Sequence, residues 1–155
     1  MKTTYYYNSP IGPLKLICSQ DALESLSFTE KLNENQKNLP KIVSTCKEQL
    51  DDYFSGKLKD FDIPIHFTCG TPFQQHTWMA LQNIGYGETK SYKDIATCIG
   101  NSKAVRAVGG ANNKNPIVIV IPCHRVVGST GKLVGFAGGL DKKEWLLTHE
   151  KGNEK

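Results

Sequence analysis

The sequence predicts an α+β protein in two parts, a small α/β domain over residues 1–69 and a mostly helical domain over residues 70–155. Three observations predict it. Apolar residues alternate with polar ones through the first third of the chain, Cys69-Gly70 is followed at once by a helix-start signal, and short capped helical segments then succeed one another to the C-terminus.

Tyr5 and Tyr7, a Pro10-Ile11-Gly12-Pro13 turn, and Leu14, Leu16 and Cys18 at every second position read as a β-hairpin. Ile42, Cys46, Leu50 and Phe54 recur every four residues and stop at Ser55-Gly56, the pattern of an amphipathic helix. Phe61, Ile63, Ile65 and Phe67 alternate again and predict a further strand, which Pro64 pushes toward a sheet edge.

The second part opens with Thr71 as N-cap, Pro72 at the first helical position and Gln74 placed to close a capping box. That helix carries Trp78 and Leu81 and ends before Gly85-Tyr86-Gly87. Ser91 caps a short helix running through Ile95 and Ile99 to Gly100. After the Gly100-Asn101-Ser102 turn, Ser102 caps a second helix from Lys103 to about Asn112, so the pair has the dimensions of a helix-turn-helix. In that second helix Ala104, Val105, Ala107, Val108, Gly109, Gly110 and Ala111 surround a single long cation, Arg106. Such a surface suits either tight packing on another helix or a flush fit into a DNA groove. Ile117 to Ile121 is a continuous β-branched run that demands burial, and it leads into Pro122-Cys123-His124-Arg125. Glycines at 128, 131, 135, 138 and 139 mark turns. A last helix from Trp145 to Glu150, which Asp141 and Glu144 could box-cap, precedes a polar, frayed tail from Lys151.

Composition narrows the class of function. No stretch approaches the roughly 18 uninterrupted apolar residues of a membrane span, and the N-terminus lacks an apolar signal segment, so a cytoplasmic location is expected. Cysteines at 18, 46, 69, 98 and 123 include no Cys-x-x-Cys pair, which speaks against a disulfide framework and a standard zinc site. Residues 1–69 carry 8 Lys+Arg against 9 Asp+Glu and residues 70–155 carry 11 against 6, a balance of −1 against +5. The basic half suits a polyanionic partner such as nucleic acid, or an ordinary solvated surface.

Cys123 stands apart from the other cysteines. It follows a rigid apolar segment and a φ-locked proline, and the next residue offers an imidazole. A free thiol, with a pKa near ~8.5, needs a base or positive field to ionise usefully at neutral pH. His124 can act as that base if a carboxylate orients its other nitrogen, and Glu150 on the last helix is the nearest suitable one. Sequence neighbours need not point the same way, which favours a bridging water over direct contact.

At these residues the chain resembles the O6-alkylguanine-DNA alkyltransferase family. Pro122-Cys123-His124-Arg125-Val126, Arg106-Ala107-Val108-Gly109-Gly110-Ala111 and Asn115-Pro116 carry the resemblance. Thr71-Pro72-Phe73-Gln74-Gln75, Tyr86-Gly87-Glu88-Thr89, Ser91-Tyr92, Lys143-Glu144-Trp145-Leu146-Leu147 and His149-Glu150 extend it in order from Gly70 to Glu150. The first domain matches more loosely, through Ser9-Pro10-Ile11-Gly12.

The resemblance implies a ribonuclease H-like first domain and a winged helix-turn-helix-type motif in the second. It implies DNA repair by irreversible, stoichiometric transfer of an alkyl group from O6-alkylguanine in double-stranded DNA to Cys123. A relay from Glu150 through His124 and a water would generate the thiolate, Tyr92 would protonate N3 of the leaving guanine, and Asn115 would shape the turn before the active-site segment. Arg106 would fill the gap left by a flipped base, with Ala104, Val105, Ala107, Gly109 and Ser91 lining a minor-groove contact. Val120, Pro122, Phe136, Ala137 and Gly138 would form the substrate pocket. Ala137 stands where many members have serine, which could admit larger O6 groups or O4-alkylthymine. No metal, cofactor, membrane or obligate protein partner is implied, and a monomer is expected. Three rival readings are a binding protein for alkylated DNA, which would lack the acceptor cysteine; a Cys-His-Glu thiol hydrolase; and a helix-turn-helix regulator, which would need more base-reading side chains than Arg106.

Overall fold

A computed structural model describes residues 2–31, 37–136 and 138–153, and the chain divides into two compact units, Met1–Thr68 and Cys69–Lys155.

In the first unit, β1 (Thr3–Ser9), β2 (Gly12–Cys18) and β3 (Leu23–Phe28) form an antiparallel meander in the order β1-β2-β3. The hairpin reading of the sequence is borne out: Tyr5 pairs with Leu16 and Tyr7 with Leu14, all four buried on one face. That face is covered by α1 (Lys41–Phe54), whose Ile42, Val43, Cys46, Leu50 and Tyr53 are buried at helical spacing. The Tyr7 hydroxyl donates to Asp51 Oδ1 at 2.6 Å and ties β1 to α1.

The strand expected over 61–67 does not form. Only Ile65 bridges to Leu23, with Leu23 N donating to Pro64 O at 2.9 Å and His66 N to Leu23 O at 3.0 Å. Pro64 has no N–H to extend the ladder. Both backbone groups of Asp62 are taken instead by the side-chain amide of Gln49 on α1, at 2.8 and 2.9 Å.

In the second unit, α2 (Pro72–Leu81) starts with the capping box read from the sequence: Thr71 Oγ1 accepts from Gln74 N at 3.1 Å, and Gln74 Oε1 accepts from Thr71 N at 3.0 Å. Gly70, at φ 97°, precedes it where a Cβ would come within 2.5 Å of the Trp78 ring, so only glycine lets that buried indole close the core. Two-residue strands β4 (Lys90–Ser91) and β5 (Val126–Val127) pair in parallel. Between them lie α3 (Tyr92–Cys98), boxed by Ser91 and Asp94, and α4 (Val105–Asn113).

Two caps differ from expectation. Helix α4 begins two residues later than expected, after a turn in which Ala104 N donates to Asn101 O at 3.0 Å, so Ala104 and not Ser102 occupies the N-cap. The last helix, α5 (Leu140–Gly152), begins well before Trp145. Gly139, at φ 101°, is its N-cap, which leaves Asp141 inside the first turn and no side-chain cap. Trp78, Leu81, Ile95, Val108, Ile117, Ile121, Val126 and Leu146 form the core of this unit. No helix among the described residues is long and apolar enough to cross a membrane.

Candidate active site

The apolar run before Cys123 is buried, as its composition demands, but it folds into turns and not a strand. Asn115 organises them. Its Oδ1 accepts from Ile117 N at 3.0 Å and its Nδ2 donates to Ile121 O at 2.8 Å, so one side chain spans the loop. Ile119 sits at φ 72° within a γ-turn closed by Val120 N donating to Val118 O at 2.8 Å. A β-branched residue there costs roughly 1–3 kcal/mol and persists only where its surroundings enforce it. Pro122, at φ −81° and ψ 62°, then makes an inverse γ-turn, with Cys123 N donating to Ile121 O at 2.8 Å. The chain enters a single 3-10 turn, Cys123–Arg125, before β5.

This turn packs against α5, whose buried residues Lys143, Leu146 and Glu150 lie on one helical face. His124 Nε2 lies 2.7 Å from Glu150 Oε2, with neither residue exposed. Arg125 donates through Nε to Glu150 Oε1 at 2.8 Å and through Nη2 to Glu150 Oε2 at 2.9 Å. Burial pushes the Glu150 carboxyl up, but the bonds and charges of His124 and Arg125 overcome it and hold the group well below the usual carboxylate range. An ionised carboxylate can only accept, so Nε2 of His124 carries the hydrogen and Nδ1 presents a lone pair. That Nδ1 is buried without a hydrogen-bond partner among the described residues. Burial pulls the basicity of His124 down, against the pull of Glu150.

Cys123 is 2% exposed, and burial pushes its thiol up to about 11 despite a hydrogen bond with Asn115 and the positive charge of Lys143. Lys143 is itself buried, brought down to about 8 by desolvation. Its ammonium donates to the carbonyls of Val134 at 2.9 Å and Gly135 at 3.3 Å. Tyr92 donates to the same Val134 carbonyl at 3.0 Å, and burial, with the nearby Cys123 charge, raises its phenol above the ordinary value.

The structure therefore brings Cys123, His124, Glu150, Asn115 and Tyr92 into one cluster. Val120 is half-buried and Pro122 buried beside it in the chain. Phe136 and Gly138 lie on the loop pinned at Val134, and Ala137 lies outside the described residues. On α4, Val105, Arg106, Ala107 and Gly110 are exposed, whereas Val108, Ala111 and Asn112 are buried. A Cβ at Gly110 would meet nothing within 4 Å, and one at Gly109 would lie 3.9 Å from the Tyr92 ring. Internal packing therefore does not account for the small residues on the outer face. Ser91 is half-buried and spends its hydroxyl on the α3 cap.

Three participants escaped the sequence reading. Arg125 was visible only as part of the motif, and Asn112, whose Nδ2 donates to Cys123 O at 3.3 Å, looked like one polar residue among several. Lys143 sits in a Lys-Lys-Glu run that reads as solvated surface. The available signal was its spacing of three and seven from Leu146 and Glu150, which puts all three on one face.

Comparison with known proteins gives consistent matches across both units. Residues 72–152 match the family model described as 6-O-methylguanine DNA methyltransferase, DNA binding domain, and residues 1–67 match its ribonuclease-like domain. A protein of Methanosarcina barkeri named methylated-DNA--protein-cysteine methyltransferase is 48% identical over 96% of this chain and 98% of its own. The crystal structure of Mycobacterium tuberculosis O6-methylguanine methyltransferase superposes with a TM-score of 0.88 at 44% identity, covering 99% of this chain and 94% of that one. A crystal structure of the Mycobacterium tuberculosis OGT in complex with DNA matches at a TM-score of 0.86 and 44% identity, over 98% and 93% of the two chains.

Proposed function

The chain belongs to the 6-O-methylguanine DNA methyltransferase family, and from that premise we propose that Cys123 is the residue that takes the alkyl group. The activity is DNA repair by alkyl transfer from DNA to a cysteine of the protein itself. One observation supports the assignment to Cys123 above all: the adjacent His124 is locked by Glu150 at 2.7 Å into the tautomer whose free Nδ1 can accept a proton.

The steps follow from these groups. His124 Nδ1 takes the thiol proton through one water, and the resulting imidazolium is stabilised by the Glu150 carboxylate. The Cys123 thiolate, supported by Lys143 and Asn115, attacks the alkyl carbon. An S–C bond forms as the C–O6 bond breaks, and the electron pair leaves on guanine. Tyr92 gives its phenolic proton to N3 of that anion, exchanging its bond to Val134 for the substrate. The product is a thioether with no group beside it able to expel a simple alkyl, so each molecule acts once.

The O6 substituent of a paired guanine is hidden in the stack, so the nucleotide is flipped out at a cost of a few kcal/mol. Helix α4 lies in the minor groove, its small outer face formed by Ala104, Val105, Ala107 and Gly109 around Arg106, which fills the vacated position. Pro122, Val120, Phe136 and Gly138 line the base pocket. The protein works as a cytoplasmic monomer and needs no cofactor for this displacement. Incubation with duplex O6-methylguanine DNA tests the assignment: the intact protein gains one methylene on the Cys123 peptide. A Cys123→Ala variant that still clears the lesion would refute it.

A further inference from the structure

We propose that Arg125 is a positioning residue for the transfer: its guanidinium clamps the Glu150 carboxylate in the orientation His124 requires. The proposal deepens the functional reading above and rests on it for its kinetic test alone.

Arg125 is 5% exposed, with all three nitrogens of its guanidinium engaged. Nε and Nη2 form a fork on Glu150 at 2.8 and 2.9 Å, while Nη1 donates to Ile84 O at 2.7 Å. Its face lies over the Tyr86 ring, with Cζ 5.7 Å from the centroid. A planar fork on a carboxylate fixes the plane of that carboxylate, which a single bond from an imidazole does not. The Ile84 carbonyl fixes the fork in turn, tying the 3-10 turn and α5 to the segment after α2. Glu150 Oε2 thus accepts from His124 and Arg125 together, and the angle at which it meets the imidazole is set by the arginine.

The charge acts separately from the geometry. Around His124 stand Glu150 and Lys143 from α5 and Cys123 and Arg125 from its own turn, while Tyr86 faces the Glu150 and Arg125 pair and Tyr92 faces Cys123. Glu150 alone among them strongly favours the imidazolium; Arg125 and Lys143 oppose it. With Arg125 neutralised, the carboxylate would act on His124 undiluted and hold it protonated to higher pH. A protonated imidazole cannot accept the thiol proton, so the acid limb of transfer would move up in pH.

Two substitutions separate the effects. Arg125→Lys keeps a cation but loses the fork; Arg125→Met loses both, with Arg125→Gln as a second neutral variant should the methionine form not fold. Single-turnover methyl transfer from duplex O6-methylguanine DNA is followed across about pH 5 to 8, where imidazoles titrate, together with the NMR titration of the His124 ring. The lysine variant is expected to be slower by about a hundredfold at every pH, with the acid limb in place. The neutral variants are expected to be at least as slow, with both the limb and the ring titration displaced upward. Wild-type speed in Arg125→Lys, or neutral variants with an undisplaced ring titration, overturns the proposal. A wild-type protein that never acquires the methyl group overturns the functional reading instead, and the ring titration still decides the role of Arg125.

Discussion

The phenol of Tyr92 donates to the main-chain carbonyl of Val134 at 3.0 Å, so the group assigned to protonate the leaving guanine already has a partner before substrate arrives. The exchange is between two comparable acceptors and keeps the buried hydroxyl satisfied at each stage. Because the phenol is raised by burial, it is fully protonated at neutral pH. Tyr92→Phe is predicted to slow transfer from O6-methylguanine by at least about a hundredfold, the usual scale of general-acid help. Methyl iodide, whose leaving group needs no proton, should alkylate Cys123 at the same rate in variant and wild type. Equal slowing with both reagents would remove Tyr92 from the acid role.

Glu150 links the relay to stability. Replacing it by glutamine leaves the Arg125 guanidinium buried against a neutral amide, a change expected to cost ~3–5 kcal/mol at neutral pH. The carboxylate is held below its unfolded value of about 4.3, so its contribution is present above that pH and is lost as pH falls toward the folded value. Urea unfolding should show the wild type losing stability below about pH 4.3 more steeply than Glu150→Gln, the two curves converging in acid. Curves that stay parallel would mean that the ion pair does not govern the acid limb.

Local signals in the sequence were more readable than long-range ones. Thr71 and Gln74 cap each other across three residues, so their box could be written down from spacing alone. The alternation of 61–67 pointed to a strand and Pro64 warned against it, yet Gln49, which takes both backbone groups of Asp62, lies thirteen positions away, and no local pattern announces those bonds. Around the site, the motif singled out Cys123 and His124, the need for a carboxylate to orient that imidazole pointed to Glu150, and the resemblance supplied Tyr92. Lys143 stayed hidden because burial of a lysine depends on which face of α5 meets the 3-10 turn, a choice made by packing. The γ-turn at Ile119 was equally invisible, since an isoleucine at positive φ contradicts its intrinsic preference.

Lys143 is predicted to support the thiolate by charge. At pH 7 it is mostly protonated, with its pKa at about 8, and its ammonium opposes the burial that pushes Cys123 up to about 11. Lys143→Met removes that charge, so the thiol should titrate higher still and the thiolate fraction should drop about tenfold for each unit gained. The rate of Cys123 methylation by methyl iodide at neutral pH, read by peptide mass, reports this without DNA. An unchanged rate would show that the thiolate does not feel the lysine.

Helix α4 offers the test of the DNA-facing surface. Gly110 is exposed, and a Cβ there would meet nothing within 4 Å, so Gly110→Ala should fit the fold and stabilise the helix by ~0.8–1.0 kcal/mol. A glycine kept at that thermodynamic cost is explained if the helix must lie flush against a groove. The same variant is therefore expected to bind duplex DNA more weakly despite its higher melting temperature, and Gly110→Leu more weakly still. Arg106 is exposed on the same helix, and the proposed role confines it to the flipping step. Arg106→Ala should slow repair in duplex far more than alkylation by free O6-benzylguanine, which has no stack to leave. Should Arg106→Ala lose both reactions equally, or Gly110→Leu bind duplex as the wild type does, the outer face of α4 is not the surface that meets DNA.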